Sequence, residues 1–190
     1  SLQQGDIDMM IRATITPERQ QYAWFSRPYR QEVVALFSKR EQHLPVPFHY
    51  ATALAQRLTL IGPASGQYDA QFEKYRPLFQ AHQLYTPYPD AFVGTELLFA
   101  SPGRGELLLA DADIFYHQLG TARLNQVQLV AGSLNISPSH LMLSKKTVSA
   151  ATVAAIDRAI QIFKTDGRLA AIERAYRPAQ LQAQINAHTR

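Results

Sequence analysis

Ile7, Met9 and Ile11 alternate with Asp8 and Met10, the two-residue period of a strand whose far end presents Arg12 and Thr14. A helix is predicted to follow at once, because Thr16 is a good N-cap and Pro17 suits the first helical position, where its missing N–H costs nothing. The next apolar run, Val33 to Phe37 within Glu32 to Ser38, is short and β-branched and reads as a buried strand. Lys39 to Pro47 is polar, carries two prolines and suits a connection from one lobe to another. Leu58 to Ile61 then gives a short strand and Gly62 to Gly66 a small-residue loop. Tyr68, Phe72, Tyr75 and Phe79 recur at helical spacing, with Pro77 near the helix end.

Further along, Thr95 to Ala100 predicts a short helix stopped by Pro102 and Gly103. Glu106 to Ala110 is a compact apolar strand ending at Asp111, with a helix expected from Asp113 through Tyr116 to Leu119. Gln126 to Val130 and His140 to Leu143 make two more strands, and Ser133 to Ser139 between them looks like a return crossing. Val148 to Phe163 is an amphipathic helix with Val153, Ile156, Ile160 and Phe163 on one face. Arg168 to Tyr176 is a second helix with Leu169, Ile172 and Tyr176 inward, and the tail after Pro178 adds a short helix or frays.

Three of these places carry candidate chemistry. Arg19 falls on the first turn of the helix capped by Thr16, where free N–H groups and the helix dipole favour anions and a guanidinium can grip a carboxylate in two prongs. Thr14 would add a hydroxyl donor; an ordinary capped surface helix with a solvated arginine fits the same residues. The loop around Ser65 is a second strand-to-helix turn open to anions, or a plain connection. Asp111 stands at the C-terminal end of a strand, where α/β sheets bind ligands, whereas Asp113 would favour the positive end of the next helix.

Composition narrows the function classes. With 190 residues, 46% of them hydrophobic and 18% charged, the chain can bury a core in one domain or two small lobes. Its net charge of +4 is scattered, with no Lys/Arg run longer than a pair such as Lys145 and Lys146, so a solvated basic surface is expected rather than a nucleic-acid footprint. The absence of cysteine excludes disulfides and thiolate ligands and fits either redox compartment. Six histidines form no HExxH, and no phosphate-binding loop, Gly-x-Ser-x-Gly elbow or dinucleotide fingerprint is present, so no catalytic residues, metal or cofactor are expected. No stretch is long and apolar enough to span a bilayer, and no basic-then-apolar signal opens the chain, so export would be directed by residues outside it.

Gly5-Asp6-Ile7-Asp8, then Thr14-Ile15-Thr16-Pro17-Glu18-Arg19, then Phe25-Ser26-Arg27-Pro28-Tyr29, in this order and spacing, resembles the periplasmic amino-acid-binding proteins of ABC importers, family 3 of the extracellular solute-binding proteins. The resemblance continues in Gly103-Arg104-Gly105-Glu106 and the strand ending at Asp111. It closes with Ala155 to Ile160 and Asp166 to Leu169, and is weakest from Gln80 to Ser101. It implies an α/β chain of two lobes in the type 2 periplasmic-binding-protein fold, with two hinge crossings and an incomplete first lobe. On this likeness residues 1–40 and 137–190 form lobe 1 and residues 41–136 form lobe 2. The resemblance implies a chain that starts after the family's opening strand, helix and strand, either cut there or completing its lobe differently, so apolar surface is expected on lobe 1, to be covered by that segment or by self-association.

The resemblance implies a non-enzymatic periplasmic protein that captures an amino acid or similar small carboxylate and delivers it to ABC transporter membrane subunits. Arg19, Thr14 and Ser65 would hold the carboxylate and Asp111 would face the ammonium, with Asp113 left to the helix. Arg12 stands where the family more often has a small residue. It would crowd the site, extend toward an acidic ligand side chain, or pair with a neighbouring acid. Two other readings share the fold: a periplasmic dehydratase using Asp111, Asp113 or Glu106 as a proton donor, and a sensor domain without an importer.

Overall fold

In the computed structural model, which describes residues 1–44, 47–66 and 68–188, the opening alternation forms strand β1 (Met9–Ala13) and Thr16 caps helix α1 (Pro17–Tyr22). The Thr16 side chain accepts from the Arg19 N–H, the bond expected of an N-cap. A short strand, β2 (Ala23–Phe25), follows without a loop. Both β1 and β2 pair antiparallel with β8 (Asn135–Ser144): Met9 and Trp24 each stand opposite Leu143. The motif after β2 is built into this arrangement. Buried Ser26 accepts from the Leu141 N–H at 3.0 Å, and the Arg27 N–H donates to Asp157 at 2.7 Å.

The chain divides into two compact units, Ser1–Glu32 with Ile136–Tyr176 and Val33–Asn135 with Arg177–Arg190. Strands β3 (Arg30–Lys39) and β8 carry the chain between them. These bounds differ from residues 40 and 137, and the tail belongs to the second unit rather than the first. Both shifts have a packing reason: β3 is buried from Val33 onward, and the last helix buries Leu181 and Ile185. Of the expected connection from Lys39 to Pro47, Pro45 and Val46 lie outside the described residues.

The second unit holds a mixed sheet. β3 pairs antiparallel with β7 (Val127–Leu129) and with β6 (Leu107–Asp111); β6 runs parallel to β4 (Leu60–Pro63), and β4 to β5 (Tyr85–Tyr88). Helices α2 (Tyr50–Ala55), α3 (Ala70–Ala81), α4 (Ala91–Phe99) and α5 (Ala112–Arg123) cover it. Side chains of β3 alternate between two cores, as strand geometry dictates. Val34 and Leu36 cluster with Phe72, Phe79 and Leu107, while Phe37 meets Phe115 with ring centroids 4.2 Å apart.

The first unit is packed far more thinly. Among the described residues one buried cluster here is Leu2, Ala13, Ala23 and Met142, flanked by Tyr22 and Phe25, and Leu143 and Ile160 are the unit's other buried hydrophobics. Helix α6 (Ala150–Thr165) forms as expected, capped by Ser149, yet buries only Ile160 among its residues; Phe163 is 38% exposed. Helix α7 (Arg168–Tyr176) buries no residue, and Ile172 and Tyr176, expected inward, are 56% and 68% exposed. All the exposed large hydrophobics among the described residues except Leu78 and Phe92 belong to this unit, including Met9, Ile11 and Ile162. The expectation of apolar surface on the first lobe is met. The last helix, α8 (Ala179–His188), closes the chain in the second unit.

Candidate functional site

Two of the predicted residues come together in the first unit. Arg19 Nη1 donates to the Thr14 carbonyl at 3.0 Å, so the strand end pins the guanidinium beside the start of α1. The contact uses the backbone oxygen of Thr14 rather than its hydroxyl. The Thr14 side chain is exposed and Arg19 is half-buried. One N–H of the fork is engaged in this way, and the guanidinium carries further N–H donors of the kind that grip an anion.

Arg12 takes the third of its expected roles. Its Nε lies 3.6 Å from Oε1 of Glu32, in the same unit. Its backbone is left-handed, with φ +58°, at a point where the β1–β8 register shifts between Met10 and Ala13. A bulge with a left-handed residue favours glycine, so a bulky side chain here is held against its own backbone preference.

Ser65 and Asp111 belong to the second unit. β4 and β6 are parallel neighbours, with Leu60 opposite Leu107 and Ile61 opposite Leu108, so Asp111 at the end of β6 and Ser65 just after β4 stand at the C-terminal ends of adjacent strands. Ser65 is exposed on the loop after β4. Helix α3 starts only at Ala70, and Asp69 caps it, accepting from the Gln71 and Phe72 N–H groups at 2.9 Å each. The anion-friendly amides predicted for this turn are therefore met by a carboxylate of the chain itself.

Asp111 is buried, 6% exposed, at the end of β6. It is also the N-cap of α5, with its carboxylate accepting from the Ile114 N–H at 3.2 Å. The expected assignment of the cap to Asp113 is thus corrected. The antiparallel pairing of Asp111 with Val34 keeps it extended, the backbone of a cap, while Asp113 already lies inside the helix. Asp113 instead forms a two-pronged pair with Arg177, from Nε to Oδ1 at 2.8 Å and from Nη2 to Oδ2 at 3.0 Å. The Arg177 side chain is only 3% exposed. Nearby, the Tyr88 phenol donates to the Leu109 carbonyl at 2.8 Å; burial, with smaller contributions including the Asp111 charge, pushes its pKa up.

A pocket of about 430 Å³ in the same unit is lined by Tyr50, Asp69, Gln71, Tyr75, Ser133 and Asn135 among others, and neither Ser65 nor Asp111 reaches it. Its polar groups serve the fold: Asp69 caps α3, and Ser133 Oγ takes the Leu36 N–H at 2.9 Å. Sequence reasoning missed Arg177, Glu32 and Tyr88. Arg177 precedes Pro178, a position biased away from helix, which ends α7 but does not announce a partner 64 residues back.

Residues 1–179 match the family model described as bacterial extracellular solute-binding proteins, family 3. Among solved structures, a mutant of ArgBP from T. maritima superposes with a TM-score of 0.70 at 17% identity, covering 92% of this chain and 71% of that one. ArtJ from Geobacillus stearothermophilus, an arginine-, lysine-, histidine-binding protein, gives 0.66 at 18%, covering 92% and 71%. A histidine kinase sensor domain with similarity to periplasmic binding proteins gives 0.67 at 15%, covering 92% and 72%. At these identities the likeness is one of fold. No curated protein matches the chain.

Proposed function

Because the chain belongs to the bacterial extracellular solute-binding proteins of family 3, with the type 2 periplasmic-binding-protein fold, we propose that it captures an amino acid or similar small carboxylate outside the cytoplasm for an ABC importer. The periplasm is the compartment we assign to it. The family is one of binders rather than enzymes, and no dehydratase step is proposed.

The observation that carries the reading is the guanidinium of Arg19 pinned by Thr14 at the start of α1, within the stretch that matches the family. In this proposal Arg19 holds the ligand carboxylate, with Thr14 and Ser65 as hydroxyl donors and Asp111 receiving the ammonium. Arg12 stands at the margin of this site, its charge directed to Glu32.

Thermal unfolding of the chain with L-arginine, L-lysine, L-histidine, L-glutamine and L-glutamate tests this. A ligand at a hundred times its Kd stabilises by about 2.7 kcal/mol. We expect one or more of the five to raise the Tm of the parent, and Arg19→Ala and Asp111→Asn each to abolish the shift. A shift kept in both variants would move the site elsewhere, and no shift with any of the five would overturn the proposal. The sensor-domain neighbour supports a second reading, ligand capture by a receptor module without an importer. A transmembrane kinase segment encoded in the same gene, rather than importer genes alongside, would favour it.

A further inference from the structure

We propose that Arg177, brought back to the second unit by the chain's last segment, is a positioning residue that holds the ligand-facing end of α5 through its fork on Asp113. The inference rests on Asp111 as the ammonium ligand proposed above. Asp111 has two duties at one point: it closes the β6 ladder opposite Val34 and caps α5 at Ile114. The ladder fixes its backbone from the strand side. On the helix side the restraint is Asp113, two residues on, gripped at both oxygens by a guanidinium that is itself nearly fully buried. Two parallel N–H···O bonds fix rotation as well as distance, which a single contact or a point charge does not.

The anchor of Arg177 is itself built. It is the first residue of the tail that belongs to the second unit, two residues before the start of α8, whose Leu181 and Ile185 are buried. The tail thus acts as a strap whose polar end meets the first turn of α5. The pair also sets how much negative charge the end of β6 presents. With Asp113 bound by Arg177, a ligand ammonium meets the Asp111 carboxylate rather than two aspartates competing for it.

The test uses the 190-residue chain and titration calorimetry with L-arginine and L-glutamine as probes, together with amide hydrogen exchange. Arg177→Gln and Asp113→Asn are each expected to weaken binding of the tighter probe by about tenfold, a range typical of coupled neighbours. The double variant should be no weaker than either single one, and Arg177→Lys should recover only part of the loss, because lysine lacks the fork. Exchange at the Ile114 amide should quicken in Arg177→Gln while core amides such as Leu109 stay protected, which a general loss of stability would not produce. If Asp111→Asn abolishes binding while Arg177→Gln binds as the parent does, the positioning role is overturned and the binding reading stands. If Asp111→Asn binds as the parent does, the binding reading itself fails and takes the inference with it. Additive losses in the double variant, or an Ile114 amide unmoved in Arg177→Gln, also overturn the clamp.

Discussion

Replacing Arg12 by glycine and by alanine separates what its backbone costs from what its side chain contributes. The left-handed φ of +58° should cost a non-glycine residue about 1–2 kcal/mol. The ion pair with Glu32, whose members are 36% and 20% exposed, returns about 0–1 kcal/mol. Alanine keeps the backbone penalty and loses the pair, so Arg12→Ala should destabilise by roughly 0.5 kcal/mol. Glycine also loses the pair and adds about 0.4–1 kcal/mol of unfolded-state entropy, but it removes the backbone penalty, which brings Arg12→Gly close to neutral. Glycine should therefore exceed alanine by about 0.5–1 kcal/mol, the reverse of the order at an ordinary strand position. Urea unfolding followed by fluorescence of Trp24, the single tryptophan and a residue of the first unit, reads this directly. With an m-value of about 1–3 kcal/mol/M the midpoints should differ by about 0.2–1 M. An alanine variant as stable as the glycine one would refute the claim that backbone strain is held at this bulge.

The same Arg12→Gly variant should leave the ratio of glutamate to glutamine affinities unchanged, since Glu32 holds the guanidinium; a selective loss of glutamate would place that charge on the ligand. Gly62→Ala would bring a methyl against the Tyr85 hydroxyl and within 2.8 Å of two ring carbons, and should cost about 1–3 kcal/mol in chemical unfolding, partly recovered by Tyr85→Phe. Phe37→Ala, at a fully buried position against Phe115, should cost about 3–5 kcal/mol. Burial raises the phenol pKa values of Tyr50, Tyr88 and Tyr116 above that of an unfolded tyrosine. Their stabilising effect is complete below about pH 10 and is lost as pH rises beyond it, because only the unfolded chain then ionises freely. Their tyrosinate absorbance should appear together with alkaline unfolding, and ionisation of all nine tyrosines before the loss of structure would contradict the assignment.

What could be read from the letters was local, and the misses follow from what local signals omit. Thr16 and Pro17 announce a helix start by chemistry that needs no partner, and α1 forms there. β5 was not anticipated because Pro87 argues against a strand; it is tolerated because β5 pairs with β4 alone, at the edge of the sheet. α2 was missed because it is short, rich in alanine and capped by His49 without a side-chain bond. Asp90 in fact starts α4 four residues before the Thr95 expected, and its capping of Val93 was a signal available in the sequence. At the candidate site the three residues of the first unit and Asp111 were all in view, but the choice between Asp111 and Asp113 as cap depended on where the β3–β6 ladder ends.

Periodicity fails differently in the first unit. The spacing of Val153, Ile156, Ile160 and Phe163 predicts a helix with an apolar face, and α6 has that face. A helical period, however, states only that one side seeks burial, not that this chain provides it. In α6 only Ile160 is buried, and in α7 none is, while Met9 and Ile11 on β1 are also exposed. In the second unit Phe72 and Phe79 carry the same kind of spacing in α3, and there both are fully buried against β3 and β6. The difference lies in what stands opposite. α3 faces a sheet whose strands supply Leu36, Leu60, Leu107 and Leu109, whereas the buried hydrophobics of the first unit among the described residues are two alanines, two leucines, one methionine and one isoleucine. Burial contributes about 25 cal/mol per Å² of apolar surface, so stability should be unequal between the units. Amides of α6 and α7 should therefore exchange through local opening well before those of β3 and β6. Uniform protection across both units would mean that the exposed faces contribute little to local opening.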